Sequence, residues 1–293
     1  MTGQGIIREQ MKLIDDSITS FVEGLPATEK QVFDKVLLLL KDLTVSGSGT
    51  IDNNVKNIKL ISKIKGELDG IVISDKYLSK VQGFTNSFEQ VAVLNDTYFA
   101  TAITSNYKPS NVLEAVKKLN VETTISGLTE NGIGAAFTDG IREILHTNIT
   151  TGGSYMDMVS NMKEFIIGKE GEGGAMVRYA RQIATDSINQ YNGQYIKSVT
   201  DDLGLEWFAY TGSNVDKTRP FCKAMTETNY FHKSQIESIL NGHINGQTVS
   251  LKGMIKGTNA QNFHSNRGGY NCGHQIFPVL KGIVPKEIRD KIK

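Results

Sequence analysis

Four side chains late in the chain, Cys222, His264, Cys272 and His274, carry the donor atoms of a soft-metal site. Thiolate sulfur and imidazole nitrogen are the ligands that tetrahedral zinc takes. Cys272 and His274 are two positions apart, so in an extended strand both project from one face. Cys222 precedes Cys272 by 50 positions, and the two share an ion only if the fold returns the chain to the same place. The spacing lacks the two close pairs of a zinc ribbon. The same residues also fit plain packing, with both cysteines as small buried hydrophobes and His274 as a polar strand residue. A Cys222–Cys272 disulfide is a third arrangement, at odds with a reducing cytoplasm. A catalytic zinc would need an open ligand position and a carboxylate base, and Asp216 is the carboxylate available for that role.

Other chemistries find little support. Gly132–Ile133–Gly134 and Gly171–Glu172–Gly173–Gly174 follow no clear strand, and no Gly-Lys-Ser/Thr accompanies them, so neither reads as a phosphate cradle. No Gly-x-Ser-x-Gly joins a strand to a helix. His146 fits a helix C-terminus, where positive charge is favoured, and His232 and His243 read as exposed loop residues. The chain is thus expected not to be an enzyme.

Composition bounds the class. Apolar residues make up 39% and charged residues 22% of the chain, which excludes global disorder. Lys and Arg number 32 against 31 Asp and Glu, so no basic surplus marks a general nucleic-acid binder. The longest aliphatic run, Val36–Leu40, falls far short of the roughly 20 apolar residues of a membrane span. The opening residues Met1–Gln4 lack the basic start and apolar stretch of a secretory leader. Two cysteines make no disulfide framework. Synthesis in a reducing cytoplasm, with no membrane partner, is the expectation.

Positioning such residues falls to a chain with five prolines that reads as successive amphipathic helices. Ile7, Met11, Ile14, Ile18 and Phe21 form one stripe, broken at Gly24–Pro26; Val32, Val36, Leu39, Leu40 and Leu43 form the next. Ser46–Thr50 is a turn, and Ile51, Val55, Ile58, Ile61, Ile64 and Leu68 mark a third helix. Ile71–Ile73 and Tyr98–Ile103 are compatible with strand or buried helix. Val112, Ala115, Val116 and Leu119 outline another helix face. Ser154 fits an N-cap, residues 168 to 174 a loop, and the stripe Val177, Ala180, Ala184, Ile188, Tyr191, Tyr195 and Val199 a long helix, with Gly204 as its C-terminal cap. Leu205–Thr211 and His274–Leu280 read as strands, the second an edge because Pro278 cannot donate to a ladder. The fold class expected is α+β, predominantly α-helical: a helical region over 1–120, then over 125–293 a helical segment and a small α+β domain with few short strands. The tail from Lys281 carries five basic residues and an apolar side of Ile283, Ile288 and Ile292. It reads as a solvated helix, with partner binding or contact with DNA as alternatives.

The stretch Asp216–Lys217–Thr218–Arg219–Pro220–Phe221–Cys222 follows a long helix, a glycine and a strand containing Trp207. Ser213, Asn214 and Asp216 supply turn chemistry, and Pro220 fits the first turn of a short helix. Arg219 can brace the corner by pairing with Asp216 or with backbone carbonyls. Together with Asn271–Cys272 and Pro278–Val279, these residues resemble the phage head-morphogenesis, Mu F-like minor capsid family, over roughly residues 125 to 280. The matching motif positions are Trp207, Asp216, Thr218, Arg219, Pro220, Cys222, Asn271 and Cys272. The family ends in His-Pro before Asn-Cys and a second Cys two residues on. Here the run is Gly268–Gly269–Tyr270–Asn271–Cys272–Gly273–His274, with histidine in the place of that cysteine. The resemblance implies a structural virion protein at or near the portal or neck, in several copies or a homo-oligomeric ring. Its partners would be the portal and other head or neck proteins, in head assembly, genome packaging or ejection. The alternative is a zinc-dependent hydrolase or nuclease built on the Cys/His cluster; a structural zinc is a candidate cofactor in either case.

Overall fold

The computed structural model describes residues 2–72 and 74–292. Helices dominate: α1 (Gly3–Glu23), α2 (Pro26–Leu40), α3 (Val55–Val72), α4 (Asp75–Thr85), α5 (Ser87–Tyr98), α6 (Asn111–Leu128), α7 (Ala135–Thr151), α8 (Tyr155–Ile167) and α9 (Ala175–Asp202). The remainder is mixed: β1 (Trp207–Thr211), α10 (Pro220–Thr228), β2 (Tyr230–His232), α11 (Ile236–Leu240), β3 (His243–Ile244), β4 (Gln247–Thr248), α12 (Phe263–Asn266), β5 (Gln275–Pro278) and α13 (Lys286–Arg289). The fold is predominantly helical α+β with short antiparallel strands. No helix among the described residues is long and apolar enough to cross a membrane.

The stretch that fitted either strand or helix is helical. Ile71 belongs to α3, and Tyr98 ends α5 before a π-helical turn at Phe99–Ile103; Ile73 lies outside the described residues. Two faces differ from the periodicity. On α3, Val55 and Ile58 are exposed while Leu60, Ile61, Ile64 and Leu68 are buried. On α6, Leu113 is buried, and Val112 and Leu119 face outward. In both helices the apolar residues outnumber one face, so spacing alone does not choose the inward set.

The chain forms two compact units, each built from segments on both sides of residue 120. One comprises Ser17–Thr85 and Glu122–Ala184. In it α2 packs on α8, and α7 packs on both α3 and α8, around Val32, Val36, Ile141, Leu145, Met158 and Met162. Ser154 caps α8 by accepting the Asp157 N–H. The start of α9 is capped from α2: the Glu29 carboxylate, 2% exposed, accepts the N–H groups of Gly174 and Val177 at 3.3 and 2.9 Å. Burial raises the Glu29 pKa and the accepted N–H bonds pull it back. A carboxyl whose folded pKa is raised contributes most at pH below its unfolded value, and part of that is lost as pH rises through the folded one. Glu29→Ala is therefore expected to cost about 2 kcal/mol in urea unfolding at pH 4, with a smaller deficit at pH 8. A deficit that grows with pH would show instead that the ionised cap dominates.

The other unit comprises Met1–Asp16, Asn86–Val121 and Thr185–Lys293. Its sheet has the order β2-β1-β5, all antiparallel. Pro278 sits on the edge strand β5, where its missing N–H costs no ladder bond. Alternation along β1 sends Phe208 and Tyr210 into one core with Phe221, Cys222, Phe231, Phe263 and Cys272. Trp207 and Ala209 point the other way, onto Val279, Val284, Ile288 and Ile292. The apolar side of the tail is thus spent against Trp207, while Ile283 faces solvent. Beneath the sheet runs a buried amide network. Gln10 donates to Asn95 at 2.8 Å, Asn95 to Asn192 at 2.8 Å, and Asn192 to Gln275 at 2.9 Å and Gln10 at 3.4 Å. Gln275 in turn donates to Asn189.

Candidate metal centre

The strand–turn–helix corner brings the first cysteine into place. After β1 the chain turns at residues 212 to 218, where the Thr218 hydroxyl accepts the Val215 N–H at 2.7 Å. Pro220 then opens α10 at its first position, with Arg219 extended as the N-cap. Cys222, in the first turn of α10, points back at β1. The second cysteine precedes β5. Asn271 takes a left-handed φ of 55°, which asparagine tolerates better than most residues, and its N–H donates to the Asp186 carboxylate at 2.6 Å. Burial raises the pKa of Asp186; the Asn271 N–H and the charges of Arg267 and Arg219 oppose that.

Three of the four predicted ligands converge. Cys222, Cys272 and His274 are buried, and their donor atoms lie within 4.8 Å of one another, so the cluster could hold a metal ion. The Sγ atoms are 3.9 Å apart, and Cys272 Sγ lies 3.8 Å from His274 Nδ1. Around tetrahedral zinc the corresponding edges are about 3.8 Å for two sulfurs and about 3.6 Å for sulfur and nitrogen. Both cysteines are free, so no disulfide competes for them. The Cys222 thiol donates towards Cys272: its own pKa is raised, while that bond, with help from His274, holds Cys272 well below the usual thiol range despite burial. His274 Nε2 lies 3.4 Å from Asn214 Oδ1, a contact through which Nε2 would donate once Nδ1 binds a metal ion. Asn214 is itself held by its amide bond to Thr226 Oγ1 at 2.9 Å.

His264 does not join them. It lies in α12 with its ring edge-on to Phe208 at 4.8 Å, and burial pushes its pKa down to about 3. Its residue type matched the chemistry, but the short α12 turns it into the aromatic core. Asp216, the carboxylate that a catalytic zinc would need, is exposed in the turn and outside the cluster.

Residues that the sequence did not single out complete the site. The Tyr210 hydroxyl is 3.5 Å from Cys222 Sγ and 3.7 Å from Cys272 Sγ; its position two residues after Phe208 put it on the inner face of β1. Gly268 passes so close that a Cβ there would stand 2.2 Å from Cys222 Sγ and 2.9 Å from Cys272 Sγ. Gly193, inside α9, allows the backbone of α12 to approach, since a Cβ would stand 2.2 Å from the His264 carbonyl. A glycine inside an apolar helical stripe is the signal for such an approach.

Arg219 joins the two motifs. Its guanidinium donates to the carbonyls of Gly268 at 3.1 Å and Tyr270 at 2.6 Å. The brace runs to backbone carbonyls, one of the two alternatives open from sequence. Arg219→Ala is expected to lower the chain's zinc affinity about 10- to 100-fold, as loss of an outer support does, measured by competition with a chromophoric chelator. Unchanged affinity would mean that the loop holds its shape without the brace. No family model matches the chain, and comparisons with curated proteins and with solved structures found no match.

Proposed function

We propose that this chain is a structural protein of a tailed-phage head, placed at or near the portal or neck, whose C-terminal unit is pinned by a structural zinc. The observation that supports this most is the meeting of the two motifs. The segment ending in Cys222 and the segment from Asn271 to His274 converge on one buried cluster, tied across by Arg219. Most motif residues then have a part in one corner: Thr218 in the turn, Arg219 in the brace, Pro220 in the helix start, Asn271 in the left-handed step, and the cysteines in the centre. Thiolate sulfur and imidazole nitrogen are ligand types that zinc takes, and a structural centre needs a fourth protein ligand beside these three. The hydrolase reading has less support, because Asp216 stands apart from the cluster and Asp186 is engaged by the Asn271 N–H. Partners on this reading are portal and neck proteins and further copies of the chain.

Mass spectrometry of purified mature particles and procapsids from a host carrying this gene tests the virion role. The protein is expected in at least one of the two in several copies. Its absence from both would end the proposal.

A further inference from the structure

We propose that the phenol oxygen of Tyr210 is the fourth ligand of the metal centre, closing it to water and small anions; this rests on reading the cluster as a zinc site. A zinc held by Cys222, Cys272 and His274 alone would keep one vertex open. Tyr210 Oη lies 3.5 and 3.7 Å from the two sulfurs, near the edge of about 3.5 Å that a tetrahedral ion imposes on a sulfur and an oxygen.

Two further observations point the same way. Tyr210 is 1% exposed, and its hydroxyl has only the two sulfurs as partners among the described residues. Buried phenols usually find an oxygen or nitrogen acceptor. Tyr77 and Tyr98 do so, each donating at 2.6 Å to the carbonyl of Leu128 or Pro278. The second observation is the close approach of Gly268. A Cβ there would stand 2.2 and 2.9 Å from the two sulfurs and 3.2 Å from Tyr210 Oη. All three donor atoms thus face one point beside Gly268, which only a residue without a side chain leaves to them.

On metal binding the protons that the sulfurs and the phenol still hold leave to solvent as the Zn–S and Zn–O bonds form. No electron is transferred. The His274 ring stacks on Tyr210 with centroids 5.4 Å apart and planes 24° apart, which keeps both donors on the same side of the sheet. Closure by a protein oxygen separates a structural centre from a catalytic one, which keeps a position for water.

The test is cobalt(II) titration of the full chain, followed by absorption spectroscopy with added azide or thiocyanate. The wild-type chain is expected to bind one cobalt with thiolate charge-transfer and tetrahedral bands that neither anion alters. Tyr210→Phe is expected to bind more weakly and to change its spectrum with either anion, because water then occupies the vacated vertex. A wild-type spectrum that responds to the anions overturns the Tyr210 assignment and leaves the three-ligand centre standing. Failure of the wild-type chain to bind cobalt or zinc overturns the centre itself. The wild-type measurement decides the assignment by itself, even if the Phe variant does not fold.

Discussion

Replacing Asn192 by leucine is expected to destabilise the protein by about 3–6 kcal/mol, from the cost of the partners left unpaired. Asn192 stands at the crossing of the buried network: it accepts from Asn95 and donates to Gln275 and Gln10. It is 0% exposed, and Gln10, Asn95 and Gln275 are no more than 1% exposed. A leucine of similar volume leaves the Asn95 amide and the two glutamine carbonyls without partners. Each orphaned buried group costs about 1–3 kcal/mol, against a total stability of about 5–15 kcal/mol for a typical fold. Urea unfolding of the variant measures the loss. A double variant carrying Gln275→Leu as well should lose less than the sum of the two single changes, because removing both partners leaves fewer orphans. A loss under about 1 kcal/mol for Asn192→Leu would mean that water can reach the network and satisfy it.

That network shows where the sequence was readable and where it was not. The stripe on α9 was legible because Ile188, Tyr191 and Tyr195 repeat at three and four residues, and all of them are buried. Asn192 lies on the same face, four residues after Ile188, yet an amide in an apolar stripe does not name its partner. Gln10, Asn95 and Gln275 are distant in sequence, so only the fold reveals that they satisfy one another. Strand β1 was legible from its aromatics. Strand β2 and the β3–β4 pair, of two or three residues each, are too short to show a period of two. At the candidate metal centre, residue chemistry picked out Cys222, Cys272 and His274, which meet, and also His264, which stands outside their cluster. Ligand type constrains what a residue can do, whereas the backbone decides where it points. Tyr210 and Gly268 went unnoticed for the converse reason: an aromatic in a strand and a glycine in a loop have ordinary structural uses. Asn271 is the intermediate case, a motif residue explained by backbone conformation.

The candidate metal centre carries the other large expected effect. Adding zinc to the metal-free chain is expected to raise its thermal midpoint by roughly 10 °C. A ligand held at 1,000 times its dissociation constant stabilises the folded state by about 4 kcal/mol, and for units of 150–250 residues each kcal/mol moves the midpoint by about 2–4 °C. The metal-free cluster is poor at holding charge. Cys222 and Cys272 are 2% and 3% exposed with sulfurs 3.9 Å apart, so two thiolates would repel each other in a medium of low dielectric. A divalent cation removes the conflict by pairing with both sulfurs. Cys272→Ser separates this from plain packing. If the cysteines only fill the core, the serine variant loses the same small amount of stability with zinc as with chelator. If they hold zinc, the variant resembles the wild-type chain in chelator and falls well below it once zinc is present. Equal midpoints for the wild-type chain in zinc and in chelator would return Cys222, Cys272 and His274 to the role of core residues.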